Sequence, residues 1–243
     1  MKVGRCLVAT LLFMFAGMAL AQSSSSPPGD PRDPWERYNR AVFEFNDAID
    51  RAVLKPTAQA YTAVVPEPVR QCVGNIFGNI GDIWSAVNSL LQGKPGECVN
   101  QLMRVAVNTT LGFGGCLDIA REMEGLEKRN EDFGQTLGVW GLEPGPYFVL
   151  PFFGPSSVRD GVGFVADRIV DPVDRIDHIP TRNTSMGLRI ISVRADLLNA
   201  STVLENAALD RYVFIRDAYL QRRLNAVYDG NPPEPAAAVP ANE

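Results

Sequence analysis

The amino-acid sequence predicts a mostly α fold, a single compact helical domain interrupted by one irregular Pro/Gly-rich apolar hairpin, and three observations carry that expectation. Apolar residues recur at steps of three and four along most of the chain, the period of a helix with one apolar face. No run of alternating β-branched residues competes with them. The one long stretch with neither pattern, Phe133–Val158 (FGQTLGVWGLEPGPYFVLPFFGPSSV), has Glu143 as its only charge and prolines at 144, 146, 151 and 155. Those prolines remove backbone donors and break a helix, so the stretch is excluded as a transmembrane span. Its aromatics Tyr147, Phe148, Phe152 and Phe153 carry roughly 150 to 250 Å² each, together more than a soluble monomer usually exposes in one patch. They are expected in a core, in a membrane or against a partner.

The chain opens with Lys2 and Arg5, an apolar run from Leu7 to Leu20, and Ala19-Leu20-Ala21. This is the three-part pattern of a cleaved secretory signal, so residues 1–21 are expected to be removed and the mature chain to begin at Gln22. Residues 22–32 (QSSSSPPGDPR) read as a flexible spacer and 231–243 (NPPEPAAAVPANE) as a disordered tail, because neither has apolar spacing to offset chain entropy. Residues 33–230 remain for one domain, with no internal repeat and no dividing linker. Without the signal the chain has 21 Lys and Arg against 28 Asp and Glu, a formal charge of −7. It has no cluster of cations, which argues against a nucleic-acid partner.

Trp35, Tyr38, Val42, Phe45, Ile49 and Ala52 line one face of a first helix, expected to end near Pro56. From Val69 to Leu91, positions 69, 73, 76, 80, 83, 87 and 90 form a second stripe, widened by Phe77, Trp84 and Leu91. A helix apolar over so much of its girth is either central or lipid-facing. Gly74, Gly78 and Gly81 each cost it up to about 1 kcal/mol relative to alanine, and close backbone approach is the usual compensation, in a soluble bundle or between helices in lipid. Gly93-Lys94-Pro95-Gly96 signals a turn, and Leu102, Val105 and Ala106 continue a third helix ended by Gly112, Gly114 and Gly115. Cys72 lies 22 residues before Lys94 and Cys116 22 residues after it, so an antiparallel pair brings them side by side for a disulfide, leaving Cys98 free. Val158, Val162, Val165 and Ile169 mark another helix behind a Ser157-x-x-Asp160 start signal. Helices over Met186–Leu198 and Thr202–Tyr228 follow, the last with a Thr202-x-x-Glu205 capping box and a stop at Gly230 and Pro232.

The chemistry of an enzyme is hard to assemble from this inventory, and none is expected. The single histidine, His178, sits in an acidic loop beside Pro180, so no histidine metal cluster or nucleophile-base arrangement can be built. Gly161-x-Gly163 is not followed by the rest of a dinucleotide fingerprint, and Gly112-Phe113-Gly114-Gly115 lacks a phosphate-loop lysine. No cofactor and no metal are expected.

The segment Arg129–Asp160 (RNEDFGQTLGVWGLEPGPYFVLPFFGPSSVRD) resembles the signature of the MlaA/VacJ family of Gram-negative outer-membrane lipoproteins. Three further blocks resemble it in order: DPWERYNRAVFEFNDAIDRAVLKP from Asp33, AVVPEPVRQCVGNIFGNIGDIWSAVNSLLQGK from Ala63, and YVFIRDAYLQRR from Tyr212. The resemblance implies a compact helical ring in the inner leaflet of the outer membrane, with an amphipathic channel that takes misplaced phospholipid from the outer leaflet and maintains lipid asymmetry. It places Phe133, Gly134, Gln135, Gly138 and Gly141 in a glycine-hinged gating loop beside that channel. Pro144, Gly145, Pro146, Tyr147, Phe148, Leu150, Pro151, Phe152, Phe153, Gly154 and Pro155 become a rigid apolar hairpin framing it, with Arg159 and Asp160 as polar groups at the frame. The implied partners are phospholipid, a trimeric porin and a periplasmic lipid-binding shuttle. One departure is that Cys6 precedes the apolar run, so no lipobox cysteine is found and the family's acyl anchor is not carried over. The rival reading is a periplasmic structural or envelope-tethering protein without transport activity.

Overall fold

A computed structural model describes residues 30–233, and the chain divides into Met1–Pro31 and the unit Arg32–Glu243 that holds every element below. The expected signal peptide, most of the spacer and most of the tail lie outside the described residues. The unit is largely helical, with a two-stranded sheet as its only sheet among the described residues.

Helix α1 (Glu36–Ile49) does not stop before Pro56. It runs through a π-helical turn, Asp50–Leu54, into α2 (Lys55–Val64). A proline ring clashes with the carbonyl four residues back in a regular helix. The wider turn just ahead of Pro56, in which the Lys55 N–H donates to the Asp50 carbonyl five residues back, relieves that clash and lets the helix continue. Helices α3 (Glu67–Leu91) and α4 (Pro95–Thr110) form an antiparallel hairpin across Gly93, whose φ of +76° is the left-handed conformation such a turn requires.

Cys72 and Cys116 close the far end of that hairpin as a disulfide with a Cα–Cα distance of 4.1 Å, and the Cys116 carbonyl also accepts from Asn75 Nδ2 at 3.0 Å. Cys98 is free and half-buried. Constraining a loop of 44 residues should stabilise the fold by roughly 3 to 5 kcal/mol. Non-reducing peptide mapping of oxidised envelopes is expected to recover Cys72 linked to Cys116 and Cys98 as a thiol; recovery of all three as thiols contradicts the bond.

A 3₁₀ turn, Ile119–Glu122, leads to the short helix α5 (Phe133–Val139). Strands β1 (Tyr147–Leu150) and β2 (Gly154–Ser157) pair antiparallel in the register Tyr147 with Ser157 and Leu150 with Gly154. The two strands form a hairpin. Its position is fixed by two amides two turns apart on α1. Asn39 donates to the Tyr147 carbonyl and accepts from the Val149 N–H, while Asn46 donates to the Leu150 carbonyl and accepts from the Phe152 N–H.

Helices α6 (Val158–Val170), α7 (Ile179–Asp196), α8 (Leu198–Ala207) and α9 (Arg211–Val227) complete the unit. Ser157 caps α6 by accepting from the Asp160 N–H at 3.2 Å. His178 is not a loop bystander: its ring nitrogen accepts from the Thr181 N–H and starts α7, with Pro180 in the first turn where no donor is needed. The Thr202-x-x-Glu205 box starts nothing, because α8 follows α7 directly at Leu197 and Thr202 already lies inside it. Its hydroxyl donates to the Leu198 carbonyl, and Glu205 pairs with Lys55. The working cap is Asp210, which accepts from the Val213 N–H at 3.1 Å and opens α9.

The apolar core is small. Tyr147, Val149 and Tyr212 are buried together, packed against Val42, Phe43, Val213, Tyr219 and Leu220. No helix among the described residues is long and apolar enough to cross a membrane.

Candidate functional site

Away from that aromatic cluster the usual distribution of polarity is reversed. On α3 the buried residues are Ala86 and the polar Asn79, Asp82, Ser85, Asn88 and Ser89, while Val69, Ile76, Ile83, Val87 and Leu90 face outward. Helix α4 buries Gln101, Arg104 and Asn108 and exposes Val99, Leu102 and Met103. Helix α6 buries Arg159, Asp160 and Gly163 and exposes Val158, Val162, Val165 and Ile169, the last at 65 %. The stripes that locate these helices in the sequence are thus their outer faces. Scattered exposed apolar residues are ordinary on a protein surface, but whole helical faces of valine, isoleucine and leucine over a polar interior are not.

A polar interior is stable only if its groups satisfy one another. One network centres on Arg104, 1 % exposed, which donates to Asp82, to the Leu126 carbonyl and to both oxygens of Asp118. Lys128 reaches the other oxygen of Asp82 at 2.7 Å, lying over Gly78, where a Cβ would stand 2.9 Å from its ammonium. Gly78 therefore seats a lysine and does not serve helix–helix contact. Burial raises the Asp118 carboxyl pKa, but hydrogen bonds from Asn108 and Arg104 outweigh it and leave the group below the usual carboxylate range.

A second network ties the signature segment to the end of the chain. Asp132 caps α5 through the Gln135 N–H at 2.8 Å and accepts from Arg223 on α9. The same guanidinium reaches both oxygens of Asp160, at 2.9 and 3.0 Å, and Asp160 also accepts from Tyr219 at 2.7 Å and pairs with Arg159. Burial pushes Asp132 and Asp160 up, yet the Arg223 hydrogen bonds and charge hold both below their ordinary value. The neighbouring Asp167 is pushed up by burial, despite donors from Trp84 and the Phe133 N–H. A third network joins Asp33 to Asn39, Tyr212 and Arg216 beneath the hairpin.

The glycine-hinged loop expected over Phe133, Gly134, Gln135, Gly138 and Gly141 is for the most part helix α5, because Asp132 supplies a cap and the residues that follow tolerate a turn. Only Gly141, φ +93°, lies in a loop and needs its glycine for backbone conformation. Gly134 and Gly138 are required for closeness: a Cβ would come within 2.8 Å of Arg223 and Asp160 at the first and 2.7 Å of Arg159 and Val227 at the second. On the facing helix, a Cβ on Gly163 would fall 2.4 Å from the Gly134 nitrogen. The hairpin aromatics separate by position: Tyr147 is fully buried, Phe148 half-buried against Gly161, and Phe152 and Phe153 are exposed at the tip. Arg159 and Asp160 are buried in the second network. Asp82, Arg104 and Arg223 were not singled out from the sequence, because single charges on otherwise periodic helices carry no local signal of burial.

The profile of a family described as MlaA lipoprotein matches residues 31–226. The intermembrane phospholipid transport system lipoprotein MlaA of Shigella flexneri is 34 % identical over 82 % of this chain and 80 % of its own length. The protein of the same description from Haemophilus influenzae is 32 % identical over 86 % and 84 %. A solved structure from work on the structural basis for maintenance of bacterial outer membrane lipid asymmetry superposes with a TM-score of 0.69 at 33 % identity, covering 82 % of this chain and 99 % of that one.

Proposed function

This chain belongs to the MlaA lipoprotein family, and from that premise we propose that it is the outer-membrane component of an intermembrane phospholipid transport system. In this reading it takes misplaced phospholipid from the outer leaflet by an amphipathic route and so maintains lipid asymmetry, without altering the lipid chemically. The observation that carries the reading is the inversion of polarity. Outward valine, isoleucine and leucine suit acyl chains, and no helix among the described residues is long and apolar enough to span, so the helices would lie within one leaflet. A headgroup crossing hydrocarbon needs polar partners, and a polar interior supplies them.

The proposal extends to a route bordered by α5 and framed by the β1–β2 hairpin, with Gly141, at a φ of +93°, as its hinge. It also calls for a trimeric porin beside the chain and a periplasmic shuttle to receive lipid. Deletion of the gene is expected to raise surface-exposed phospholipid, and the intact chain to reverse it; unchanged surface lipid on deletion refutes transport. Attachment separates this reading from a periplasmic tether. The protein is expected to stay in the membrane pellet through a high-salt wash, since salt weakens only charge-mediated adhesion, and Val162→Lys with Val165→Lys to shift it toward the carbonate supernatant. Release of the unaltered protein by salt alone favours the tether.

A further inference from the structure

We propose that the cavity beneath the 3₁₀ turn Ile119–Glu122, about 400 Å³, holds a zwitterionic phosphodiester, the headgroup chemistry of an amine-bearing phospholipid. The inference rests on the phospholipid-transport reading and gives it a binding position. Arg104 and Asp118 form the inner wall, and Arg121, Met123, Leu126, Glu127 and Lys128 the remainder.

The charges in this wall divide into two sets. Arg104, Lys128, Asp82 and Asp118 neutralise one another through the contacts already described, and the Arg104 guanidinium has its donors directed at Asp82, Asp118 and the Leu126 carbonyl. Arg121 and Glu127 also line the cavity, are exposed, and take part in no ion pair among the described residues. Lys128 has three donors and gives one to Asp82, so its others can turn to a ligand. The cavity therefore offers one uncommitted cation with a lysine near it, one uncommitted carboxylate, and the apolar side chains of Met123 and Leu126. A free inorganic anion would be better served by cations alone. A phosphate carrying a tethered ammonium matches the set: phosphate to Arg121 and Lys128, ammonium to Glu127, glycerol against Met123 and Leu126.

The volume falls at the low end of small-molecule sites, enough for a headgroup and glycerol and not for acyl chains. An exposed apolar run leads in sequence to Asp118 of the cavity wall and would give those chains a continuation. Leu111, Phe113 and Leu117 are all exposed just before Asp118, Phe113 at 82 %. Phe113 is held there at a φ of +52°, a costly conformation for a bulky residue, by the Gly114 and Gly115 N–H groups donating to Thr109 and Asn108. The run is continuous in sequence with the outward apolar face of α4.

The test is calorimetric titration of the full chain in non-ionic detergent with glycerophosphoethanolamine, glycerol 3-phosphate and inorganic phosphate. Glycerophosphoethanolamine is expected to bind about tenfold more tightly than either anion, and Arg121→Gln and Glu127→Gln each to weaken it about tenfold with Tm unchanged, since neither side chain contributes an ion pair to the fold. No binding of glycerophosphoethanolamine, affinity no better than that of phosphate, or indifference to either substitution overturns the site. The broader reading fails separately: deletion would then leave surface phospholipid unchanged whatever the titrations show.

Discussion

Gly163→Ala is expected to remove the folded protein, by about 4 kcal/mol or more, because the new methyl would fall 2.4 Å from the Gly134 nitrogen and 2.6 Å from its Cα. The clash is with backbone on both sides, so no side chain can rotate away and α6 must separate from α5. That separation would also pull apart the Asp132, Asp160 and Arg223 contacts that bridge these helices to α9. Gly187→Ala in α7 is the control. A Cβ there meets nothing within 4 Å, and alanine should be neutral or stabilising by up to about 1 kcal/mol. Thermal unfolding and cellular level report both, and a Gly163→Ala protein with wild-type Tm would refute the packing of α5 on α6. Gly141→Val is a different kind of change: the space is open and the cost is the left-handed backbone, roughly 1 to 3 kcal/mol. A role for Gly141 in gating is tested on that milder variant, by measuring surface phospholipid at matched protein level.

Arg223→Met is the second large effect expected, about 3 to 5 kcal/mol, because it leaves Asp132 and Asp160 facing each other across α5 and α6 without their shared cation. Neutralising the acids should recover part of the loss. Asp132→Asn is the informative partner, since asparagine still caps α5, and the double variant should be more stable than the sum of the single losses predicts. Both acids are held below their ordinary value in the folded state, so their contribution is present above the unfolded value near pH 3.8 and is lost as pH falls through the lowered values. Acid unfolding in detergent should therefore steepen below about pH 4 in the wild type and be shallower in Arg223→Met. Equal acid profiles for the two proteins would contradict the pairing.

The period of the helices was legible in the sequence, and the side that each presents was not. Val69, Ile76, Ile83, Val87 and Leu90 fall on one face of α3 whichever environment they meet, because a spacing of three and four residues describes a helix and not its solvent. The information lay on the opposite face. Between Gln71 and Gln92 the only charge is Asp82, and the face contains asparagine and serine where a helix in water would carry lysine, arginine and glutamate. Small amides and hydroxyls can be satisfied inside a protein, whereas long charged side chains belong in solvent. Boundaries failed where one device concealed another. The π turn carried the chain past Pro56, and the direct joining of α7 to α8 left the Thr202 box with no free helix end to cap. The signature segment was located by its resemblance, but its conformation depended on Asp132, a residue just before the glycine-rich run that was read for flexibility. Distant partners such as Arg223 and Asp160, 63 residues apart, cannot be paired from local pattern at all.

The reversed polarity of α3, α4 and α6 also turns round the ordinary rules of mutational tolerance and protein handling. In a water-facing domain the outside accepts lysine or glutamate almost anywhere, and engineers add them to improve solubility. Here the same substitutions at Val162, Val165 or Ile169 would place charge where the fold presents hydrocarbon, while inside, leucine in place of Asn88 or Gln101 would strand the groups it displaces. A library screened for expression in aqueous buffer would consequently select against these outer apolar faces. Under the proposed membrane placement, directed evolution or purification of this chain belongs in detergent or lipid, where the outer faces keep the surroundings the proposal gives them.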